Sequence, residues 1–372
     1  MDNRYNSNQS FWENELYHQE YDLVIIGAGL TGLSTAYFSK KKKPDLRILI
    51  LERGVFPIGA STRNAGFACI GSIGEYLADL ELDSEHQLQK RIKARFEGLE
   101  LLKSTLGPQA IDFDECGGWE IFTDPKEFER VRNHIPRINE WMQSLLGESE
   151  VYKEGVYEGN YAIFNRLEGA LHPGKMMKKL IELNHAIGNE VRWKSEVKKI
   201  DVAAGLIQTE SGIQITASSI VLATNAFTPK LTLNKDIQPG RGYVFITKPI
   251  TNFKWKSTFH YNKGYVYFRN LGSDRLLIGG GRNIAQEAEN TSEFGFNAQI
   301  KEYLIHFVDA VIKLPKGWEI ESEWSGIMGF TDSKSPSIQQ VGKRTWQVAG
   351  LSGMGVALGM SLGKKVSEKL IF

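Results

Sequence analysis

The fold is decided by residues 21–38, which read YDLVIIGAGLTGLSTAYF. Their three glycines, Gly27, Gly29 and Gly32, have the spacing G-x-G-x-x-G between an apolar run and a helix-forming segment. In such a turn the first glycine permits a tight bend, the second lets the backbone approach a pyrophosphate, and the third lets the helix pack against the strand. Free N–H groups at the start of the helix favour an anion. The stretch therefore predicts a strand, a phosphate-binding turn and a helix that ends before Pro44.

A second apolar run, RILILE at residues 47–52, ends in Glu52. This glutamate lies 20 residues after Gly32, where an acidic side chain bonds to the ribose hydroxyls of a dinucleotide. Strand, glycines, helix, strand and acid thus occur in the order of a dinucleotide-binding βαβ unit. This order predicts the site but does not distinguish FAD from NAD.

The composition is that of an ordinary globular protein, with 372 residues, 41% apolar content, 24% charged residues and a net charge of +1. This charge argues against a nucleic-acid-binding surface. The only cysteines are Cys69 and Cys116, so we predict neither a metal site nor a disulfide framework. The first 20 residues are polar, without the apolar core of a signal peptide, and no run reaches the ~18–20 apolar residues of a membrane helix. We therefore expect a cytoplasmic protein without an integral membrane segment.

The later part of the chain predicts a second domain. A large antiparallel sheet is indicated by the runs GYVFITKPI, GYVYFRN and RLLIGGG, within a strand-rich block at about residues 233–322. A plain Rossmann dehydrogenase does not need this block. The C-terminal stretch WQVAGLSGMGVALGMSLGKKVSEKLI again predicts a strand, a glycine turn and a helix. The chain should therefore return to the nucleotide-binding sheet at its end.

The sequence resembles the D-amino-acid-oxidase-like (DAO) flavoproteins, which include glycine oxidase, monomeric sarcosine oxidase and γ-glutamylputrescine oxidase. The resemblance spans about residues 10–372, and GASTRNAGF is most similar to the γ-glutamylputrescine oxidase branch. It rests on eight blocks in the family's order: IIGAGLTGLSTAYF, ILERG, GASTRNAGF, LHPGKMMKKL, SSIVLATNAF, GRGYVFITKP, WSGIMGFTDSKSPSIQQVG and VAGLSGMGVALGMSLGKKVSEKLI.

This resemblance implies FAD and an α/β (α+β) fold of two domains. The FAD-binding domain would be discontinuous, with a Rossmann-like parallel sheet, at residues 1–85, 165–232 and 323–372. The substrate domain, built on a large antiparallel or mixed sheet, would comprise residues 86–164 and 233–322.

The resemblance also assigns residues to the cofactor. The glycine turn would face the pyrophosphate, Glu52 the adenosine ribose, and Val197 the adenine. A helix N-terminus near Gly355 would stabilise the negative charge that the flavin gains on reduction. The predicted cofactor residues are Gly27, Gly29, Leu30, Thr31, Gly32, Glu52, Arg53, Ala60, Ser61, Arg63, Asn64, Ala65, Gly66, Val197, Ala223, Thr224, Gly353, Met354, Gly355 and Val356.

The implied reaction is oxidation of the C–N bond of a small primary or secondary amine. A hydride equivalent passes to the flavin, water hydrolyses the resulting imine, and O2 takes up the electrons to give H2O2. Three alternatives stay open: an FAD-dependent amino-acid dehydrogenase with another electron acceptor, an NAD-dependent dehydrogenase, and a flavin-binding protein without catalysis. The C-terminal glycine block counts against the NAD-dependent enzyme.

Two positions depart from well-known members of the family. Met328 falls near the arginine that clamps the substrate carboxylate in glycine oxidase, and near the cysteine that links to flavin in sarcosine oxidase. The sequence therefore predicts noncovalent FAD. The apolar pair Leu276 and Leu277 replaces a lysine that assists oxygen activation in sarcosine oxidase, which leaves the electron acceptor open.

An apolar pocket with few charges would suit an uncharged or cationic amine better than a small amino acid, so we predict a substrate without an α-carboxylate. Arg241 or Arg282 would be the alternative clamp for such a carboxylate. Each candidate wall residue could equally belong to the ordinary core of the sheet. The candidates are Trp324, Met328, Phe330, Tyr243, Tyr265 and Tyr267, together with Arg282.

Three residues near the predicted site also have a structural interpretation. His172 precedes a proline at a helix start, which favours a capping role over that of a base. Cys69 is expected to be a small packing residue. Arg63 is either an ion-pair or surface residue or a contact to flavin or substrate.

Overall fold

The structure is a computed structural model that describes residues 10–17, 20–232 and 236–372. In these residues the fold is built on two eight-stranded sheets. Residues 1–9, 18–19 and 233–235 lie outside the described part; they include much of the polar N-terminal stretch and the start of the predicted segment 233–322. The helices are α1 (Phe11–Tyr17), α2 (Leu30–Lys42), α3 (Ala60–Arg63), α4 (Ile73–Leu80), α5 (Glu85–Leu106), α6 (Pro125–Arg132), α7 (Ile135–Leu146), α8 (Pro173–Ala186), α9 (Ala298–Phe307) and α10 (Gly355–Lys369). Short 3₁₀ helices occupy Pro108–Ile111, Asn225–Lys230 and Arg282–Ile284, and a π-helical turn occupies Val308–Ile312.

The strands are β1 (Tyr21–Ile26), β2 (Ile48–Leu51), β3 (Phe67–Ala68), β4 (Gly118–Phe122), β5 (Tyr152–Tyr157), β6 (Asn160–Asn165), β7 (Gly169–Ala170), β8 (Glu190–Arg192), β9 (Val197–Asp201), β10 (Leu206–Thr209), β11 (Gln214–Leu222), β12 (Gln238–Thr247), β13 (Thr258–Tyr261), β14 (Val266–Leu271), β15 (Arg275–Gly280), β16 (Ile320–Phe330), β17 (Ser337–Gly342) and β18 (Thr345–Ala349). Strands β3 and β7 form a separate two-stranded sheet.

The parallel sheet has the strand order β17-β18-β11-β1-β2-β8, and β1 pairs in parallel with both β2 and β11. Leu23, Val24 and Ile25 of β1 are fully buried, because helices or further strands cover both faces of the sheet. Among the strands that the structure describes in this sheet, β17 and the β9–β10 extension run antiparallel to their neighbours. The predicted βαβ unit and the mixed α/β fold class are confirmed.

Helices α2, α5, α8 and α10 cover one face of the parallel sheet, in one core with Leu23 and Ile25. The close approach of α5 to α10 depends on Gly98, since a Cβ there would lie 1.9 Å from the carbonyl oxygen of Ala357. Residues 86–164 were predicted to lie in the substrate domain. Their helix α5 packs in this core, whereas β4, β5 and β6 belong to the antiparallel sheet, and the division into domains stays a prediction.

The antiparallel sheet has the strand order β16-β12-β15-β14-β13-β4-β6-β5 and is antiparallel except between β13 and β4. Its outer face, with Phe245, Phe259 and Phe268, forms an aromatic core with α9. The opposite face of this sheet, called the inner face below, is directed toward the parallel sheet. Strand β16 pairs with β12 over Ile320–Phe330, so the predicted boundary at residue 323 falls within a strand of the antiparallel sheet.

The described helices include none that combines the length and the apolar character needed to cross a membrane. His172 caps α8, since its Nδ1 accepts a hydrogen bond from the Lys175 N–H at 3.3 Å. The structural role predicted for this histidine is therefore confirmed.

Candidate functional site

A cavity of about 1010 Å³ lies where the C-terminal ends of the parallel strands meet the inner face of the antiparallel sheet. Ile26 and Leu51 end β1 and β2, Ala223 follows β11, and all three line the cavity. Ligands of open α/β sheets bind beyond the carboxyl ends of the strands. The volume is at the upper end of the ~300–1,000 Å³ of ligand pockets, so it can hold a dinucleotide together with a small substrate.

The three glycines of the first turn have different surroundings. Gly27 has a φ of 105°, and a Cβ there would lie 2.7 Å from the carbonyl oxygen of Ala223. A Cβ at Gly32 would lie 2.0 Å from the carbonyl oxygen of Gly27. At Gly29 the Cβ would meet only the Oγ of Ser61, at 3.2 Å. The outer two glycines therefore allow backbone packing, whereas the middle one faces the cavity.

Two helix N-termini open into this cavity. Helix α2 follows Gly29 without a side-chain cap, and the Leu30 N–H donates to Ser61 Oγ at 2.9 Å. Helix α10 begins at Gly355, also without a side-chain cap. The buried Oγ1 of Thr31 has no hydrogen-bond partner in the part of the chain that the structure describes. The positive ends of two helix dipoles and the unpartnered Thr31 hydroxyl make this region suited to an anion.

Glu52 closes the same end of the cavity at the end of β2. It is 7% exposed, and its carboxylate accepts hydrogen bonds from the backbone N–H groups of Ala28 and Gly54, both at 3.0 Å. The carboxylate is thereby fixed beside the glycine turn. Next to it, the guanidinium of Arg53 lies 3.9 Å from the ring centroid of Phe227.

The loop around α3 is held in shape by Asn64. Its amide donates to the carbonyl oxygens of Ala60 and Ser61, at 3.1 and 2.9 Å, and its Oδ1 accepts from the Gly66 N–H at 2.9 Å. Arg63 donates to the carbonyl oxygens of Ile58 and Ser325, at 2.9 and 2.8 Å. Arg63 therefore connects α3 to β16 through backbone carbonyls at the cavity wall.

The cavity brings together the predicted cofactor residues except Gly32 and Gly66. Gly32 supports the turn from behind. Gly66 packs against the chain before α8, where a Cβ would lie 2.2 Å from the carbonyl oxygen of Leu171. Contact of the other residues with FAD stays a prediction.

Of the predicted substrate-pocket residues, Met328, Phe330, Tyr265, Tyr267 and Arg282 line the cavity. Tyr243 and Trp324 do not, and their predicted place in the wall is corrected. Strand alternation turns Tyr243 to the outer face of the sheet, where its hydroxyl bonds to Glu323. Trp324 lies on the inner face but packs beneath the α3 loop, where its Nε1 donates to the Arg63 carbonyl at 2.9 Å.

Arg241 also turns away from the cavity. It forms a two-pronged ion pair with Glu289, at 2.8 and 2.9 Å, and Glu289 is 1% exposed. Asn297 donates to the same carboxylate at 3.1 Å. The guanidinium is thus occupied within the protein, and Arg282 is the remaining candidate of the two for an anion clamp.

A buried ionisable cluster lies at the inner face and was missed at the sequence level. His260 Nε2 lies 2.5 Å from Glu168 Oε1, which also accepts from Thr258 Oγ1 at 2.9 Å. Burial disfavours the charged imidazole, but the Glu168 carboxylate outweighs this effect and raises the pKa of His260. The ring packs edge-on against Phe67, with centroids 5.3 Å apart. No motif marks the pair; the alternation of Phe259 and His260 in a short strand was the only signal available.

Cys69 and Glu120 belong to the same region. The Sγ of Cys69 lies within 4.8 Å of ligand atoms of Glu168 and His260. Burial raises the pKa of the Cys69 thiol well above its ordinary value, which fits the packing role predicted for it. Burial also raises the pKa of Glu120 to about 7, although the Gly74 N–H and the Ser72 hydroxyl partly oppose this shift.

Comparison with known proteins identifies the family and the fold. A family model described as FAD dependent oxidoreductase matches residues 22–369. The probable oxidoreductase OrdL of Haemophilus influenzae is 22% identical, over 98% of this chain and 86% of its own length. The L-2-hydroxyglutarate dehydrogenase of Escherichia coli is 26% identical, over 59% of this chain and 51% of its own length. The crystal structure of glycine oxidase from Geobacillus kaustophilus has a TM-score of 0.75 at 19% identity, covering 95% of this chain and 96% of that one.

Substitution of Gly29 by valine tests the predicted phosphate contact. The added side chain would project toward the cavity, so we expect weaker FAD binding by about tenfold or more, since overpacking costs about 1–3 kcal/mol. The fold should persist, because only Ser61 is near the new Cβ. Flavin content after purification and the Kd for FAD of the apoprotein measure the effect.

Gly32→Ala is the structural control for this substitution. Its Cβ would meet the Gly27 carbonyl oxygen at 2.0 Å, so it should lower the melting temperature as well as the flavin content. Full flavin occupancy in Gly29→Val would show that this face of the turn does not contact the phosphates.

Glu120 provides a pH-dependent prediction. Its folded-state pKa of about 7 lies above the ordinary 4.5, so between these values the folded protein binds more protons than the unfolded chain. Stability should therefore fall as the pH rises through this window, by up to about 3 kcal/mol. Glu120→Gln imitates the protonated carboxyl. In this variant the fall in stability with rising pH should therefore be smaller by the contribution of Glu120. Urea unfolding at pH 5 and pH 8 measures it, with the exposed Glu97→Gln as control; an unchanged pH dependence in Glu120→Gln would refute the assignment.

Proposed function

The chain belongs to the family of FAD-dependent oxidoreductases, and we propose that it oxidises the C–N bond of a small primary or secondary amine with FAD held noncovalently. The observation that carries the proposal is the cavity, which joins the glycine turn and Glu52 to a wall that contains Met328, Val244 and Tyr267. The uncapped helix N-termini and the unpartnered Thr31 hydroxyl fit a diphosphate. FAD, when bound, accepts a hydride equivalent from the carbon that carries the amine.

The residues of the pocket support binding and orientation rather than acid–base catalysis. Burial raises the pKa of Tyr267 to about 12, so its hydroxyl stays protonated and can position a substrate. Met328 and Val244 give the wall an apolar surface. Such a surface excludes bulk water and favours the neutral amine, which is the form that can be oxidised.

Noncovalent attachment of FAD is supported by the side chains at the expected linking position. Met328 lines the cavity there and cannot form a thioether to the flavin. Cys69 also lines the cavity, but its thiol is buried with a raised pKa, which disfavours a nucleophilic thiolate.

A second candidate, a dehydrogenase that uses an acceptor other than O2, is favoured by Leu277. This residue is 5% exposed and lies on the inner face with Ala65, Val244 and Tyr267, where the resemblance implies a lysine in an oxidase. Leu276 points into the outer core instead. A leucine offers no positive charge to stabilise reduced oxygen.

We expect the purified protein to be yellow and to release its flavin on acid precipitation. Trichloroacetic acid unfolds the protein, and a noncovalent cofactor then moves to the supernatant. Absorbance of the supernatant and of the redissolved pellet measures the distribution. Flavin that stays in the pellet would show a covalent bond, and a protein that cannot be reconstituted with FAD would remove the basis of the proposal.

Turnover on a panel of amines, amino acids and 2-hydroxy acids tests the activity itself. We expect kcat/KM to be higher for amines than for sarcosine or D-alanine, because an α-carboxylate beside Met328 would lose its hydration without an ionic partner. Peroxide formation and reduction of an artificial acceptor, measured in parallel, distinguish an oxidase from a dehydrogenase. Turnover of 2-hydroxy acids alone would contradict the proposal of C–N oxidation.

A further inference from the structure

His260 forms part of the wall of the large cavity. It lies on β13, where strand alternation places Phe259 in the outer core and His260 on the inner face. In the sheet it pairs with Tyr267 of β14, which lines the same cavity. Phe67 packs edge-on against both rings, with centroid distances of 5.3 Å to His260 and 5.6 Å to Tyr267. The imidazole is therefore fixed next to the tyrosine whose hydroxyl can position a substrate.

The carboxylate of Glu168 holds this imidazole at Nε2. Glu168 is 3% exposed, and its Oε1 lies 2.5 Å from His260 Nε2. Thr258 Oγ1 lies 2.9 Å from the same oxygen. Gly118 leaves room for the other oxygen, because a Cβ there would lie 2.4 Å from Glu168 Oε2. A carboxylate this buried needs hydrogen-bond donors, and His260 is one of them.

The contact with Glu168 decides which nitrogen of His260 can accept a proton. An ionised carboxylate only accepts hydrogen bonds, so Nε2 carries the hydrogen, and Nδ1 of the neutral imidazole keeps its lone pair. Nδ1 has no hydrogen-bond partner among the described residues, yet it is not one of their fully buried atoms that lack a partner. The lone pair of Nδ1 is therefore accessible from the cavity that His260 lines.

The spacing of this pair is that of a shared proton and not of a metal site. Cys69 Sγ lies within 4.8 Å of a nitrogen of His260 and an oxygen of Glu168, and all three side chains are of types that bind Zn²⁺. Two ligands of one tetrahedral ion with bonds of about 2.0–2.1 Å would lie about 3.4 Å apart. Nε2 and Oε1 are 2.5 Å apart, which is the distance of a hydrogen bond.

Carboxylates dominate the charged surroundings of His260. The titratable groups on the elements packed around it are Glu168, Cys69, Glu75 of α4, Glu120 of β4, Arg95 of α5, and Tyr267 and Arg269 of β14. Burial lowers the pKa of His260, but the three carboxylates, Glu168 above all, outweigh this effect and raise it. The two arginines are engaged by Glu75 and by the Leu171 carbonyl oxygen. A proton on Nδ1 is thus stabilised by nearby negative charge.

A cationic amine must lose a proton before its C–N bond can be oxidised, because the nitrogen lone pair is needed when the hydride leaves the carbon. Alkylamines are ammonium ions near neutral pH, as the ordinary Lys pKa of about 10.4 shows. The uncharged wall at Met328 and Val244 lowers the pKa of a bound amine by removing its hydration. Burial keeps Tyr267 protonated, so the tyrosine cannot take the proton. Nδ1 of His260 offers a lone pair in the same cavity.

We propose that His260 and Glu168 form a proton-accepting pair, in which Nδ1 of His260 takes a proton from the substrate ammonium as it binds. An N–H bond of the ammonium breaks, an Nδ1–H bond forms, and the positive charge passes to the imidazole without transfer of electrons. The proton passes to water before the next turnover. Glu168 acts through His260 and is a positioning residue. This role presupposes the proposed amine oxidation, because only a cationic substrate has a proton to give up.

A binding measurement tests the proton transfer without turnover. tert-Butylamine cannot form an imine, because the carbon that carries its nitrogen has no hydrogen. It is titrated into the oxidised holoprotein at about pH 8.5, in buffers of different ionisation enthalpy, and calorimetry gives the number of protons released. We expect nearly no release from the wild type and about one proton from His260→Gln. One proton released by both proteins, or none by either, would overturn the proposal.

The pH dependence of kcat/KM tests the same step during turnover of an amine. We expect a plateau in the wild type between the pKa of His260 and that of the amine, since the acceptor must be neutral and the substrate cationic. His260→Gln, whose amide can still donate to Glu168, should lower kcat/KM by about 100-fold or more and replace the plateau by a rise up to the pKa of the amine. Glu168→Gln keeps an acceptor for Nε2 but removes its charge, so the lower edge of the plateau should move to lower pH.

Two control variants separate this role from a structural one. His306→Gln changes an exposed histidine of α9, and Glu120→Gln changes a carboxylate that pairs with His260 in the sheet but does not line the large cavity. Both should keep the plateau. A plateau lost in Glu120→Gln but kept in His260→Gln, or an equal loss of activity at every pH in His260→Gln, would overturn the pair while amine oxidation stands. Turnover of 2-hydroxy acids alone would instead remove the proposed function.

Discussion

The contact between the first glycine turn and the backbone of its neighbours fixes the geometry on which the rest of the cavity depends. Gly27 lies against the carbonyl oxygen of Ala223, and Gly32 lies against that of Gly27. With no side chain between them, β1, α2 and the end of β11 lie in direct backbone contact. The start of α2 is thereby fixed at the mouth of the parallel sheet, next to Glu52. The anion-binding character of this end therefore comes from backbone packing, and side chains only refine it.

This constraint is local in sequence, which is why the nucleotide-binding end could be predicted. Six residues define the turn, and the apolar runs around it have the lengths of buried strands. The antiparallel sheet was predictable for the same reason, but the orientation of its strands was not. In β12, the neighbouring residues Tyr243 and Val244 point to opposite faces of the sheet, and both are buried. The sequence pattern therefore does not show which of the two faces borders the cavity. Helix α9 covers the face that carries Phe245, so the opposite face borders the cavity.

The polar pairs of the site lie beyond the reach of sequence patterns. Glu168 and His260 are 92 residues apart in the chain, and Arg241 and Glu289 are 48 residues apart. Each pair forms because a buried charge needs a partner wherever the fold offers one. The sequence could therefore indicate Arg241 and Arg282 as equal candidates for a clamp. Only the position of Glu289 distinguishes them, because it occupies one guanidinium and leaves the other facing the cavity.

The distribution of charge along the cavity connects these features. The cavity is lined both by the first residues of α2 and α10 and by the uncharged side chains of Met328 and Val244. Charges interact strongly in a low-dielectric cavity, so an anion would be stabilised at the positive helix ends and destabilised beside the uncharged side chains. Selectivity then follows from the position of each charge in a ligand rather than from its net charge.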